Sequence, residues 1–241
     1  LLIVFGIQNL KPRPVEIAQI IEVKTNPSMT TTVNLPDGSV VHLNSESKLS
    51  YPSFFDKDKR RVTLQGEAFF EVQKDPEHGF VISTPHETKI EVLGTSFNVE
   101  AFEKDDFVST TLIEGKVRFD YMKNRQSTAV LMKPGQKLTY DSSSSRIQLI
   151  ETNGESEIAW KDGKVVFHAT PLPEALRMLE KRFNVTFVLS NECLRSEAFT
   201  GSFSHQRLER ILEIFKISSN IKWRYLDTQD TINEKTRIEI Y

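Results

Sequence analysis

The feature of this sequence that most constrains its fold is a change of hydrophobic period near residue 154. From about Glu16 to Ile150, apolar and polar residues alternate with a period of two, and no helical apolar stripe extends over three turns. Beyond Gly154, two stripes with spacings of three and four residues appear. The sequence therefore predicts an all-β part followed by a small part in which helices and strands mix.

Short runs rich in β-branched and aromatic residues predict the strands of the first part. The clearest runs are residues 67–72, 80–82, 89–93, 97–102, 111–113, 116–119 and 137–140. Pro36-Asp37-Gly38 predicts a hairpin, because proline presets φ, aspartate bonds nearby backbone and glycine accepts positive φ. Further turns are predicted at Gly66, Gly94, Gly115 and Gly135. This spacing is typical of a β-sandwich, a barrel or a β-solenoid-like coil of hairpins, and it does not choose among them.

The second part predicts a β-α-β unit followed by a β-α-β-β unit. Its strands are expected at residues 164–167, 185–189, 198–203, 221–225 and 236–241. The first helix should begin at Pro171–Pro173 and end at Asn184, and Ser204 is the expected N-cap of the second. The two apolar stripes are Leu172, Leu176, Leu179 and Phe183, and Leu208, Ile211, Leu212 and Phe215. The expected fold is mixed: an all-β N-terminal domain, then a small α+β domain.

A polar break at residues 151–157 marks the expected domain boundary, within a few residues of Gly154. We therefore predict a leader or linker at residues 1–15, an all-β domain at 16–153 and an α+β domain at 154–241. The apolar run Leu1–Ile7 is too short to span a bilayer, which needs about 20 residues. It is either a short buried strand or ordinary leader, or the outgoing end of a membrane helix, and periodicity leaves both open.

Composition argues against several classes of function and of binding site. The 31 basic and 33 acidic residues nearly cancel, which disfavours a nucleic-acid binder. The single cysteine, Cys193, excludes an internal disulfide and any zinc site built on several cysteines. We predict that Cys193 is a small buried or half-buried residue.

Neither a catalytic constellation nor a cofactor or metal site is predicted. Glycine-rich phosphate loops and the hydrolase nucleophile elbow are absent, and the five histidines form no chelating pair. Glu67 and Glu71 lie on one face of a predicted strand, where solvent-facing carboxylates are common, and His42 is also expected to face solvent. The chain is therefore not expected to be an enzyme.

Aromatic residues near the C-terminus predict a partner-binding surface. Trp223 and Tyr225 lie two positions apart, so they share one face of a strand. Aromatic side chains contribute much of the contact energy in protein interfaces. Together with Phe203 they are the candidate partner-binding residues, with core packing as the alternative.

Eight motifs in a fixed order over about 170 residues carry a resemblance to a known family. They are LPDGSVVHLNS at 35–45, SKLSYP at 47–52, RVTLQGEAFFEV at 61–72, VLGTSFNV at 92–99, EGKV at 114–117, LMKPGQ at 131–136, WKDGK at 160–164 and TGSF at 200–203. One such motif is weak evidence, but the ordered series is specific. The series resembles that of FecR-like anti-sigma factors.

This resemblance implies a signalling role. In the family, an inner-membrane protein holds a cytoplasmic sigma factor, and its periplasmic part senses the signalling domain of a TonB-dependent outer-membrane receptor. The chain would then be a periplasmic sensor, anchored to the inner membrane in the full-length protein. Its C-terminal part would be similar to the short N-terminal domain of such receptors and of secretins, as in the long forms common in Bacteroidetes.

The resemblance also implies what this sequence lacks. The sigma-binding helices and most of the membrane helix of the family have no counterpart here, so the chain is not expected to inhibit a sigma factor by itself. Strand addition to an exposed sheet edge is one physically plausible mode of contact with the receptor domain, since small β-α-β domains leave edges open.

Two other functions compete with this interpretation. A glycan-binding β-domain would expose planar aromatics, for which Tyr51, Tyr121 and Tyr140 are candidates in the β part, beside the two tryptophans, Trp160 and Trp223. A divergent enzyme would require a deep pocket with clustered carboxylates.

Overall fold

The structure is a computed structural model that describes residues 17–56, 58–123, 126–226 and 235–241. The predicted leader at residues 1–15, including Leu1–Ile7, lies outside these described residues. Strands follow one another without a helix up to Glu151, as the period of two predicts. They are β1 (Ile20–Lys24), β2 (Thr31–Asn34), β3 (Val40–Leu43), β4 (Lys48–Pro52), β5 (Lys59–Glu71), β6 (Gly79–Thr84), β7 (Thr88–Val92), β8 (Ser96–Ala101), β9 (Phe107–Glu114), β10 (Val117–Lys123), β11 (Gln126–Met132), β12 (Gln136–Asp141) and β13 (Arg146–Glu151).

The long strand β5 joins two sheets into one curled surface. Its first half pairs with β4 and β6, and its second half pairs with β3 and β8. The first sheet has the order β1-β4-β5-β6-β7-β10-β11, and the second has the order β2-β3-β5-β8-β9-β12-β13. Among the described strand pairs of these two sheets, only β5–β6 is parallel. The two sheets share one strand and curl over a common core, so the architecture is sandwich-like. Of the sandwich, the barrel and the solenoid-like coil that the sequence left open, the sandwich is therefore the nearest description.

Gly66 marks the point in β5 where the pairing partners change. It was predicted as a turn, and this prediction is wrong, because Gly66 lies inside the strand with φ of +107°. A Cβ at this position would lie 2.7 Å from the Cα of Ser47. Glycine is therefore required for a close backbone approach within a bent strand.

The hairpin predicted at Pro36-Asp37-Gly38 connects β2 and β3. The Asp37 carboxylate accepts hydrogen bonds from the backbone N–H and the hydroxyl of Ser39, at 3.0 and 2.7 Å. The buried guanidinium of Arg60 binds the same carboxylate at 2.7 Å. This motif therefore fixes a turn against the first sheet.

Aromatic side chains from both sheets meet in the core of the β part. Phe70 and Phe80 form an edge-to-face pair with ring centroids 6.3 Å apart, and Tyr121 lies 5.1 Å from Tyr140. The Tyr140 hydroxyl also donates to the carbonyl of Met122, at 3.1 Å, which ties the second sheet to the first. Because Tyr51, Tyr121 and Tyr140 are all buried here, the aromatic platform expected of a glycan-binding surface is not found at these positions.

The second part contains the predicted helices and strands and one additional short helix. Its elements are α1 (Glu155–Ile158), β14 (Val165–Pro171), α2 (Leu172–Phe183), β15 (Val185–Leu189), β16 (Ala198–Phe203), α3 (Leu208–Ser219), β17 (Trp223–Leu226) and β18 (Thr236–Ile240). Short 3₁₀ turns at Ala159–Asp162 and Glu192–Ser196 complete it. β14 pairs with β16, and a separate sheet has the order β15-β18-β17. This is the small α+β arrangement that the two helical stripes predict.

Helix ends agree with the sequence in one case and differ in another. Asn184 ends α2 in the left-handed conformation, as predicted, and its N–H reaches the Glu180 carbonyl. Ser204 does not cap α3, because this helix begins at Leu208 after the N-cap residue Arg207. Cys193 is exposed in a 3₁₀ turn, so its prediction as a buried or half-buried residue is also wrong.

The apolar stripes of α2 and α3 build a second core. Leu176, Leu179, Ile211 and Phe215 are buried together with residues of β14, β15, β16 and β18. This cluster shares no residue with the core of the β part. Two separate cores support the predicted division near Gly154, which stays a proposal.

Candidate functional site

The outer face of the second sheet carries polar side chains that are buried. Glu67 of β5 lies opposite Glu100 of β8, and Asn98 lies two residues before Glu100 on the same face. These three residues are only 4%, 8% and 4% exposed. Because buried carboxylates are rare unless they are paired, this face requires a partner from another part of the molecule.

Helix α2 supplies that partner. Its apolar side faces the second core, whereas Glu174, Arg177 and Lys181, spaced by three and four residues, lie on another side. Nζ of Lys181 lies 2.9 Å from a carboxylate oxygen of Glu67 and 2.8 Å from one of Glu100. One helix is therefore shared between its own core and the charged face of the β part.

Further contacts complete what we call the interface cluster, defined as Asn44, Glu67, Asn98, Glu100, Arg177 and Lys181. Arg177 donates to Glu100 as well. The amide groups of Asn44 and Asn98 donate to the two oxygens of Glu67, at 2.9 and 3.0 Å. Every carboxylate oxygen of Glu67 is thus engaged, and the two acids are balanced by two bases.

Three further contacts also join the β part to the second part. Lys137 of β12 lies 3.1 Å from Glu157 of α1 and 3.3 Å from Glu174 of α2. The indole N–H of Trp160 donates to the side-chain oxygen of Asn98, at 3.3 Å. The two parts therefore meet through charged and polar side chains on several elements.

The electrostatics of the interface cluster favour the charged forms. Burial by itself raises the pKa of Glu100, but the charges of Lys181 and Arg177 outweigh it and lower this pKa to about 2. Burial lowers the pKa of Lys181, but Glu100 and Glu67 outweigh it, and the pKa is raised. Glu100 and Lys181 thus stay ionised at neutral pH and attract each other.

A cleft of about 670 Å³ lies beside the interface cluster, between the two parts. Its walls include Ser109, Thr111, Trp160 and His168. Among the described residues, no group of three or more histidine, cysteine, aspartate or glutamate side chains is arranged to hold a metal ion. Most residues that line the cleft are polar or charged, and the carboxylates of Glu67, Glu100, Glu157 and Glu174 are each paired with a lysine or an arginine.

The structure gives the three predicted partner-binding residues different environments. Trp223 is half-buried and Tyr225 is 49% exposed, and their rings pack edge to face with centroids 5.7 Å apart on β17. Phe203 is 9% exposed and packs on Phe167 in the second core, so its ring has little surface for a partner. Partner binding by Trp223 and Tyr225 stays a prediction.

Strand β17 lies at an edge of its sheet and pairs only with β18 among the described residues. Lys222 and Tyr241 exchange both backbone hydrogen bonds, at 2.8 and 2.9 Å. In an antiparallel ladder such pairs alternate, so the N–H and C=O groups of Trp223 and Tyr225 point away from β18. The opposite edge, β15, is partly covered, since its Phe187 N–H donates to the Glu180 side chain.

Of the two carboxylates of β5, the sequence predicted one correctly and the other wrongly. Glu71 is exposed as expected, but Glu67 is buried in the interface cluster, so its interpretation as a solvent-facing residue is wrong. His42 is half-buried and bonds Thr32, at 3.1 Å, rather than facing solvent fully. The family motifs could have indicated this site. Asn44, Glu67 and Asn98 come from three different motifs, and their side chains are hydrogen-bonded to one another in the interface cluster.

Comparisons with known proteins agree with these motifs. The sequence profile of the family described as FecR protein matches residues 21–118, and the profile described as FecR, C-terminal matches residues 164–233. Together these matches cover more than half of the sequence. The chain therefore belongs to the FecR family, as the ordered motifs predict.

Two solved structures resemble the whole chain. Both are crystal structures, at 1.65 and 2.50 Å resolution, of a "putative anti-sigma factor" from Parabacteroides distasonis. Each is 29% identical, has a TM-score of 0.78 and covers 92% of this chain, with 98% and 99% of its own length aligned. A comparison with curated proteins found no match. Helices long and apolar enough to cross a membrane are absent from the described residues.

Proposed function

We propose that this chain is the sensor part of a membrane-anchored anti-sigma factor, and that it receives its signal in the periplasm from a TonB-dependent outer-membrane receptor. The output would be control of an extracytoplasmic-function sigma factor, through a cytoplasmic segment outside this sequence. Family membership and the likeness to the Parabacteroides distasonis protein support the anti-sigma role. The receptor and the sigma factor are proposed on the family resemblance.

The observation that carries the proposal is the outer edge of β17, which pairs with no strand among the residues that the structure describes. Its outward N–H and C=O groups offer a template for an added strand, and Tyr225 provides exposed aromatic surface beside it. The Tyr225 hydroxyl donates to Glu209 of α3, at 2.7 Å, which holds the ring across the strand. A small domain that presents one β edge is suited to pair with another small domain.

The function proposed is binding, without a chemical transformation. The buried carboxylates of Glu67 and Glu100 at the cleft are paired with lysine and arginine, and the FecR family is regulatory. A protein of this kind acts through differential affinity for its partner in two states. We therefore propose no catalytic role for any residue of the chain.

The test is titration of the purified chain with the signalling domain of a TonB-dependent receptor encoded near it. Tyr225→Pro removes one outward N–H without touching the bonds to β18, because the neighbouring positions make those bonds. We expect it to weaken binding by about tenfold, the effect of one lost hydrogen bond and some contact area. Tyr225→Phe keeps the backbone and the ring and should bind nearly as the original chain does.

Absence of any complex at high micromolar concentration would count against the sensor function. Binding that Tyr225→Pro leaves unchanged would keep the sensor function and reject docking at β17. A surface variant far from this edge, Leu131→Ala on β11, serves as the control, since Leu131 is 76% exposed.

A further inference from the structure

The way in which the two parts are joined is the feature from which we draw a further inference. Each part has its own apolar core, and the interface cluster lies between them. The cations come from α2 of the second part, and the anions come from β5 and β8 of the β part. The contact is thus formed by opposite charges on two bodies that fold around different cores.

Such a contact fixes the closed arrangement by directed bonds, yet the free energy needed to open it is small. The attraction of a buried ion pair is offset by the cost of removing both charges from water, so its net stabilisation is small. When the parts separate, water solvates both carboxylates and both cations again. Polar interfaces between domains therefore permit relative motion more readily than apolar ones.

The surroundings of the cluster agree with an interface that is not densely packed. The cleft of about 670 Å³ separates the two parts beside it. Ser109 and Thr111 of β9 line this cleft on the side of the β part. A tightly packed interface would not leave a space of this size.

We propose that the interface cluster is a releasable latch, in which Lys181 and Arg177 of α2 hold the second part against Glu67 and Glu100 of the β part. In the closed state the latch buries the polar face of the second sheet. Release frees the second part to move about the connection at residues 152–154 and exposes this face. The use of this release in signalling rests on the proposed function, whereas the latch itself is measured without a partner.

Charge balance gives the latch a sharp test. Lys181→Met leaves Glu67 and Glu100 opposite each other with one base between them, and like charges across a strand pair repel. Combining Lys181→Met with Glu67→Gln restores balance, because Glu100 keeps Arg177 as its partner. The first variant should open the molecule and the second should close it again.

The opening is measured as a distance between two spin labels by pulsed electron paramagnetic resonance. Cys193 is the single cysteine and is exposed in the second part, so it carries one label without engineering. A second label is placed by Ser143→Cys, in the exposed turn between β12 and β13. We expect one narrow distance in the original chain, a broader distribution shifted to longer distances in Lys181→Met, and a narrow one in the double variant.

The matched control is Lys216→Met on α3, an exposed lysine whose ion pair with Glu213, at 3.5 Å, lies within the same helix. It should leave the distance unchanged. If Lys181→Met does not fold by circular dichroism, Arg177→Gln, which removes the second cation at a more exposed position, takes its place. A narrow, unshifted distance in the single variant, or failure of the double variant to restore it, would overturn the latch. Neither result depends on whether a receptor domain binds.

Discussion

At the scale of single residues, the motifs of the family divide into those that shape the backbone and those that join the two parts. Gly66 and Asp37 belong to the first group, because they fix a bend and a turn. Asn44, Glu67 and Asn98 belong to the second, because they meet α2 in the interface cluster. The same short motifs therefore carry both the fold and the site.

Gly66→Ala should destabilise the β part strongly. Its positive φ and the close approach of Ser47 leave no room for a methyl group, and we expect a loss of about 3 kcal/mol in the free energy of unfolding. Gly163→Ala is the matched control, because Gly163 also has positive φ but no atom lies within 4 Å of the position that an added Cβ would take. It should cost only about 1 kcal/mol in denaturant titrations. Equal losses in the two variants would contradict this account.

Glu100 should make stability depend on pH in the acid range. Its pKa in the folded chain is about 2, below its ordinary value of 4.5, so the unfolded chain binds the proton more readily. The stabilisation is complete above pH 4.5 and is lost as the pH falls toward 2, with a total of about 3 kcal/mol.

Denaturant titrations of the original chain and of Glu100→Gln at several pH values check this prediction. The difference in the free energy of unfolding should be largest at neutral pH and should shrink below pH 4.5. A difference that stays constant down to pH 3 would contradict the role assigned to Glu100.

At the scale of elements, α2 and α3 each have one apolar side, and the exposure of a side chain shows whether it faces the second core or the solvent. Ile211 and Ile217 both lie on α3, but the first is 1% exposed and the second is 78% exposed. Helix α2 adds a charged side that serves the interface cluster. Helix α3 thus contributes side chains to the second core, whereas α2 contributes side chains both to that core and to the interface cluster.

Ile211→Ala should lower the free energy of unfolding by about 2–5 kcal/mol, because it leaves a cavity in the second core. Ile217→Ala removes the same atoms from the surface of the same helix and should change stability by less than about 0.5 kcal/mol. Thermal melts of both variants provide the measurement. Similar losses would mean that Ile217 is covered in solution, for example by a second copy of the chain.

At the scale of the whole molecule, two separate cores predict two units of local stability, matching the proposed domains at residues 16–153 and 154–241. Leu212→Ala, in the second core, should raise hydrogen exchange in the described residues beyond 154 and leave β2–β12 protected. Phe119→Ala, in the first core, should do the reverse. Exchange that rises uniformly in either variant would argue for one cooperative unit.

The sequence by itself determined the two kinds of fold, the helix faces and the family. The period of the apolar residues, two in strands and 3.6 in helices, predicts which side chains of one element share a face. The ordered motifs predict turns such as Pro36-Asp37-Gly38. These are local properties, since they depend on residues a few positions apart. For this reason the stripes of α2 and α3 were predictable residue by residue.

Only the tertiary structure decided where those faces meet. Glu67 and Lys181 are separated by 114 positions, and nothing local distinguishes Glu67 from a solvent-facing strand carboxylate. Gly66 likewise resembles a turn residue in the sequence, whereas glycine is required there by the close approach of Ser47, which lies just before β4. Contacts between distant segments depend on how sheets curl and helices dock, and the interface cluster exists only once both cores have formed.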